Sequence, residues 1–139
     1  MKVYVASSWR NAYYPEVVKA LRAAGHDVYD FRNAGPGGEG FHWSQIAPDW
    51  EGWSTKQFLD ALWNPLATKA FRNDCGHLAQ ADAVVLVLPA GASAHTEFGY
   101  GVGANKVTAI LLEPHTRPEL MYKLALILSD NLDDLVAQL

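Results

Sequence analysis

A run of six apolar residues, Ala83-Val84-Val85-Leu86-Val87-Leu88, constrains the fold of this chain more than any other feature. It has no alternation, so it cannot sit on a sheet with one face in water. An unbroken, largely β-branched run bounded by turn residues suits a parallel strand covered on both faces. Pro89, Gly91 and Ser93 then break the strand, and Ala94 to Ala104 reads as a helix. Ser93 is the expected N-cap, its hydroxyl accepting from the orphan amides of the first turn. That places Glu97 in or next to the first turn, above the carboxyl edge of the sheet. Open α/β sheets bind their ligands at that edge.

A helix N-terminus stabilises negative charge, so Glu97 is expected to stay ionised at neutral pH. An acid that merely suits the dipole is the plain account of it. Its neighbours point further: Gly91, Ala92 and Ala94 leave room for a ligand, and Ser93 can donate to an oxyanion. Gly99, Gly101 and Gly103 thin one helix face at roughly 1 kcal/mol each, either for close packing on the sheet or for a ligand. Two look-alikes fail. Gly91-Ala92-Ser93-Ala94-His95 ends in His where a nucleophile elbow needs Gly. His95-Thr96-Glu97 matches the first half of a zinc deaminase signature, but the second half needs paired cysteines and the chain has only Cys75.

A length of 139 residues fits one domain with a real core. A net charge of -4 argues against a non-specific grip on polymeric nucleic acid or an anionic membrane. One cysteine allows no internal disulfide, which fits a reducing cytoplasm. No run approaches membrane-spanning length.

Lys2 to Ala6 reads as the first strand, ended by Ser7-Ser8, with Arg10 to Tyr13 as loop. A helix follows from Pro15 to Ala24, with proline in its first turn and Gly25 beyond its end. His26 to Asp30 is a second strand, and Arg32 to Gly38 must be loop. Gly35 to Ser54 then gathers Phe41, Trp43, Trp50 and Trp53 among glycines, prolines and acids. Loops of this length are commonly lids or binding segments. These rings either pin the loop down as a satellite cluster or offer one face, Trp43 being the candidate, to a flat ligand.

A helix is expected from Thr55 to Trp63, and Asn64-Pro65 starts another that reaches about Ala79, with Leu66, Ala70, Phe71 and Leu78 inward. Asp74 lies in its C-terminal half, where the dipole disfavours an anion. After the central strand and its helix come a strand from Val107 to Leu112, a loop to Pro118, and a helical turn from Glu119 to Lys123. A fifth strand covers Ala125 to Leu128, and a closing helix covers Asn131 to Leu139, capped by Ser129 or Asp130.

Alternating strands and helices define an α/β three-layer sandwich with a five-stranded parallel sheet. The expected order is the flavodoxin-like 2-1-3-4-5, with its switch point between the first and third strands. The chain is read as a single domain over 1–139 with an aromatic-rich insertion at about 35–63. Ser8, Arg10, Ser93 and Glu97 should converge on the switch-point crevice, where hydroxyls, a guanidinium and helix N-terminal amides make a phosphate cradle.

VYVASSWR at the start and NDCGHLAQADAVVLVLPAGASAHTEFGYGVGANKVTAILL from Asn73 to Leu112 resemble the nucleoside 2-deoxyribosyltransferase superfamily, including its deoxynucleoside-monophosphate N-hydrolases. The matching positions are Tyr4 in the first strand, Ser8 and Arg10 in the turn, and Asp74 ahead of Ala81-Asp82. Ser93 and Glu97-Phe98-Gly99-Tyr100 follow. The segment from Phe41 to Trp63 has no counterpart in that resemblance.

The resemblance implies cleavage of an N-glycosidic bond through an oxocarbenium-like sugar that a carboxylate traps covalently. Glu97 would be the nucleophile and Tyr4 would orient it. Asp74 would assist the departing base or hold a sugar hydroxyl, and as a general acid it would need a raised pKa. Ser8, Arg10 and Ser93 favour a 5′-phosphorylated substrate, and His95 is a further candidate for the phosphate or ribose. The resemblance also implies a homodimer or higher homo-oligomer. No metal and no organic cofactor are expected, since His77 and Cys75 are too few for a metal site. The competing readings are a TIR-like NAD glycohydrolase and a non-catalytic nucleotide-sensing domain.

Overall fold

The computed structural model describes residues 1–34 and 40–139. The expected loop over Arg32 to Gly38 and the start of the aromatic-rich insertion fall partly outside them. The chain divides into two compact units: Met1–Asp30 with Gln80–Leu139, and Phe31–Ala79. The second unit is broader than the aromatic-rich stretch.

The first unit holds the sheet. Its strands are β1 (Lys2–Ala6), β2 (Asp27–Tyr29), β3 (Ala83–Val87), β4 (Val107–Leu111) and β5 (Ile127–Ser129), all parallel in the order β2-β1-β3-β4-β5. The order is the expected one. Every residue of β3 is buried, as its unbroken apolar run requires. Right-handed crossovers put helices on opposite faces, because the chain leaves the centre toward β2 after α1 (Tyr14–Ala23) and toward β4 after α4 (Ala92–Gly103). The closing helix α5 (Leu132–Gln138) returns to pack on α1 and β5, burying Leu135 completely. Gly25 stops α1 at a φ of +90°, a conformation that suits only glycine well.

Cap chemistry moves several boundaries. Asn131 caps α5 by accepting from the Asp134 amide at 3.0 Å, so the cap is neither Ser129 nor Asp130. The Ser129 hydroxyl is instead committed to the Asn131 carbonyl and the Asp134 carboxylate. Likewise α4 begins at Ala92 after the N-cap Gly91, which leaves Ser93 inside the helix rather than at its cap.

The second unit carries α2 (Thr55–Leu62) and most of α3 (Pro65–Gln80). A capping box opens α2: the Ser54 hydroxyl accepts from the Gln57 amide, and the Gln57 side chain accepts from the Ser54 amide. On α3 the buried residues are Ala67 and Leu78, whereas Leu66 is 48% exposed and Phe71 68% exposed. Ala67 and Leu78 are eleven positions apart, three turns, and so define one narrow face. Leu66 sits about 100° off that face; of the expected stripe Leu78 is buried and Ala70 half-buried, while Leu66 and Phe71 are exposed.

Candidate functional site

The site is built where β1 and β3 end side by side. Ser7 and Ser8 follow β1, and the chain turns back through Asn11. The Asn11 side chain is 3% exposed, and its amide nitrogen reaches Ser7 Oγ at 3.0 Å and the Val87 and Pro89 carbonyls at 3.3 Å each. Its Oδ1 accepts the Tyr13 amide at 2.9 Å, and Ser7 Oγ donates to the Val87 carbonyl at 2.8 Å. This knot ties the loop after β1 to the loop after β3, which leaves its strand through a cis Leu88–Pro89 bond. From sequence alone Asn11 reads only as loop. The available signal was an amide side chain, donor and acceptor together, in a loop at a switch point.

Ser8 and Arg10 stand in one turn, where the Arg10 amide donates to Ser8 Oγ at 3.2 Å and the Arg10 side chain is exposed. Across the knot, the loop after β3 leads straight into α4, so the elements bearing Ser8, Arg10, Ser93 and Glu97 adjoin at the carboxyl edge.

The direction each α4 residue takes follows from its periodicity. Ala94, Phe98 and Gly101 are buried against the sheet. With about 100° of rotation per residue, Ser93 and Glu97 fall on one flank of that face and His95 on the other. Glu97 is the sixth residue of the helix, in its second turn, and half-buried. A Cβ on Gly101 would lie 2.7 Å from Val84 Cγ2 and 3.5 Å from Thr108 Cγ2, so α4 packs on the face that bears those two side chains. Tyr4 pairs with Val84 and with Tyr29 across the parallel ladder, and Val84 pairs with Thr108. Paired residues project from the same face, so Tyr4 stands on the sheet face that α4 covers. It is 1% exposed and stacks on Tyr29 at 5.5 Å.

His95 is engaged elsewhere. Its ring bonds to the Gly91 carbonyl and to the Tyr122 hydroxyl, at 2.8 and 2.9 Å. Partial burial, and then the Glu119 carboxylate, push the Tyr122 phenol pKa up. Both residues line a cleft of about 420 Å³ with Leu88, Pro89, Glu113, Arg117 and others. A concavity of about 470 Å³ on α3, beside Trp63, Lys69 and Arg72, contains none of the predicted site residues. Size alone does not mark the chemistry.

Trp43 and Asp74 belong to the second unit. Trp43 is the hub of an aromatic cluster, edge-on to Phe41 at 5.0 Å, Trp53 at 5.8 Å and Phe58 at 5.9 Å. That is the satellite-cluster arrangement. Asp74 lies half-buried on α3, next to half-buried Cys75. Among the described residues, no group of His, Cys, Asp and Glu gathers as a metal site would need, and no helix is long and apolar enough to cross a membrane.

Sheet order, the joined loops and the helix rising from them define an open α/β protein whose switch point lies between β1 and β3, the edge at which such sheets bind ligands. A solved structure of the same fold is a 2-deoxyribosyltransferase from the psychrotolerant bacterium Bacillus psychrosaccharolyticus, described as a biocatalyst for synthesis of antiviral and antitumoral nucleosides. It matches at a TM-score of 0.65 and 20% identity, over 96% of this chain and 89% of that one. No family model and no curated protein matches the sequence.

Proposed function

We propose that this protein is an enzyme that cleaves the N-glycosidic bond of a nucleoside or nucleoside 5′-monophosphate through a glycosyl-Glu97 intermediate. The observation that carries the reading is the half-buried Glu97 on α4, above the sheet face that bears buried Tyr4. The fold shared with a 2-deoxyribosyltransferase supports it.

In the first step a Glu97 carboxylate oxygen bonds to C1′ as the C1′–N bond breaks, and the base leaves with that electron pair and a proton. Asp74 is the residue assigned to that proton or to a sugar hydroxyl, on the strength of the resemblance. In the second step water or the nitrogen of another base attacks C1′ and frees the carboxylate. Water makes the protein a hydrolase; a base makes it a transferase. Tyr4 orients the carboxylate. Ser8, Arg10 and Ser93 hold a 5′-phosphate, the guanidinium supplying charge and the hydroxyls direction. Two copies of the chain are expected to work together as a homodimer.

The test is a panel of nucleosides and their monophosphates, with and without a free acceptor base, followed by chromatography. Wild type should release or exchange base, and Glu97→Ala should lose at least about a thousandfold of that rate, as removal of a nucleophile does. Equal turnover of nucleosides and monophosphates would remove the phosphate cradle from the reading. Nicotinamide release from NAD without base release from nucleotides would replace it altogether.

A further inference from the structure

The helix that carries Glu97 starts without a capping side chain, because its N-cap is Gly91. His95 reaches back to that first turn from inside the helix, as a donor to its carbonyl rather than as a cap for its amides. The Gly91 carbonyl accepts the His95 amide at 3.2 Å, as helix geometry requires, and also meets His95 Nδ1 at 2.8 Å. A carbonyl only accepts, so Nδ1 carries the proton, and the neutral ring presents Nε2 as an acceptor. The Tyr122 hydroxyl stands 2.9 Å from Nε2, and the two rings stack at 5.9 Å and 17°. Tyr122 belongs to the 3-10 turn Leu120–Leu124 that precedes β5, so the contact ties α4 to the far side of the sheet edge.

We propose that Tyr122 and His95 form a positioning relay, Tyr122 O–H to His95 Nε2 and His95 Nδ1–H to the Gly91 oxygen, that sets the first turn of α4. With that turn it sets where Ser93 and Glu97 stand over the crevice; this part rests on the reading of Glu97 as the nucleophile. The geometry divides the labour along one helix. His95 faces one flank and is held by Tyr122, while Ser93 and Glu97 face the other. Neither relay residue touches the reacting atoms. Their influence is a small displacement, and a misplacement of about 1 Å can cost a hundredfold in rate.

Nitrogen-15 imidazole spectra and turnover together test the relay. Wild-type His95 should show the Nδ1–H tautomer alone, and Tyr122→Phe, which removes only the hydroxyl, should keep that tautomer on the Gly91 carbonyl but shift the Nε2 resonance as it loses its hydrogen bond. For base release, Tyr122→Phe should lower kcat by about tenfold, a part of that hundredfold, with KM changed far less. His95→Asn, which keeps a donor near the Nδ1 position, should behave like Tyr122→Phe, and His95→Ala should fall further. An Nε2–H tautomer in wild type, or a spectrum indifferent to Tyr122→Phe, overturns the relay. A shifted Nε2 resonance in Tyr122→Phe with an unchanged kcat overturns its link to Glu97. If wild type releases no base from any substrate, the glycosidase reading fails, and the imidazole spectra still decide whether the relay exists.

Discussion

Asn11 shows how one side chain can hold a crevice together. It is buried, it satisfies the Val87 and Pro89 carbonyls, and it accepts the Tyr13 amide of its own loop. Replacing it by alanine removes the donor to the Pro89 carbonyl and the acceptor of the Tyr13 amide, while the Val87 carbonyl keeps the Ser7 hydroxyl. Each such orphan costs about 1–3 kcal/mol, so Asn11→Ala should lower the stability read from urea denaturation by about 2–4 kcal/mol. An unchanged midpoint would mean that water replaces the side chain and that the two loops are not held by it. Nothing local in Ser7-Ser8-Trp9-Arg10-Asn11 announces this role. Its acceptors are 76 and 78 residues away, so the knot is legible only once the strand order brings them together. The pairing of Tyr122 is hidden in the sequence for the same reason: its partner His95 lies 27 residues earlier, on another element.

At the scale of the helix, the glycines of α4 divide by what lies beneath them. A Cβ on Gly101 would sit 2.7 Å from Val84 Cγ2 and 3.0 Å from Val84 Cβ. Val84 is a β-branched residue, fully buried in the central strand, and has no room to turn aside. Gly101→Ala should therefore destabilise by about 1–3 kcal/mol. Gly99, with nothing within 4 Å of its Cβ position, should gain roughly 0.5–1 kcal/mol on the same change. Thermal melts of the two variants should move in opposite directions, and a shared direction would refute the close-packing account. The sequence showed three glycines on one helix without separating them, because period alone does not say which one meets a side chain. The same limit holds for the inward stripe of α3: Leu78 is buried as expected, but apolar size pointed to Leu66 and Phe71, while the other buried position is the small Ala67. Strand existence and order were legible, since an unbroken apolar run and right-handed crossovers leave few alternatives.

Over the whole molecule, the two units differ in what they bury. The sheet unit encloses Val3, Val5, Val84, Val85, Leu86, Ile110 and Leu135 at 1% exposure or less. In the Phe31–Ala79 unit the buried hydrophobics among the described residues are Ala61, Ala67 and Leu78, and Phe58, Leu62 and Trp63 are exposed. Its aromatic cluster has no repeating period, so the sequence could flag its composition but not its extent. Opening free energy follows buried apolar area. Amides of β1, β3 and β4 should therefore exchange with solvent hydrogen only through global unfolding, the slowest route. Those of α2 should exchange through a smaller opening, about 2 kcal/mol or more below the global value if a few buried side chains are what separate the units. Native-state hydrogen exchange across a denaturant series reads both. Equal protection of α2 and β3 would mean that the apolar surface of α2 is covered in solution, and the Phe58–Leu62–Trp63 face would then be the place to look for what covers it.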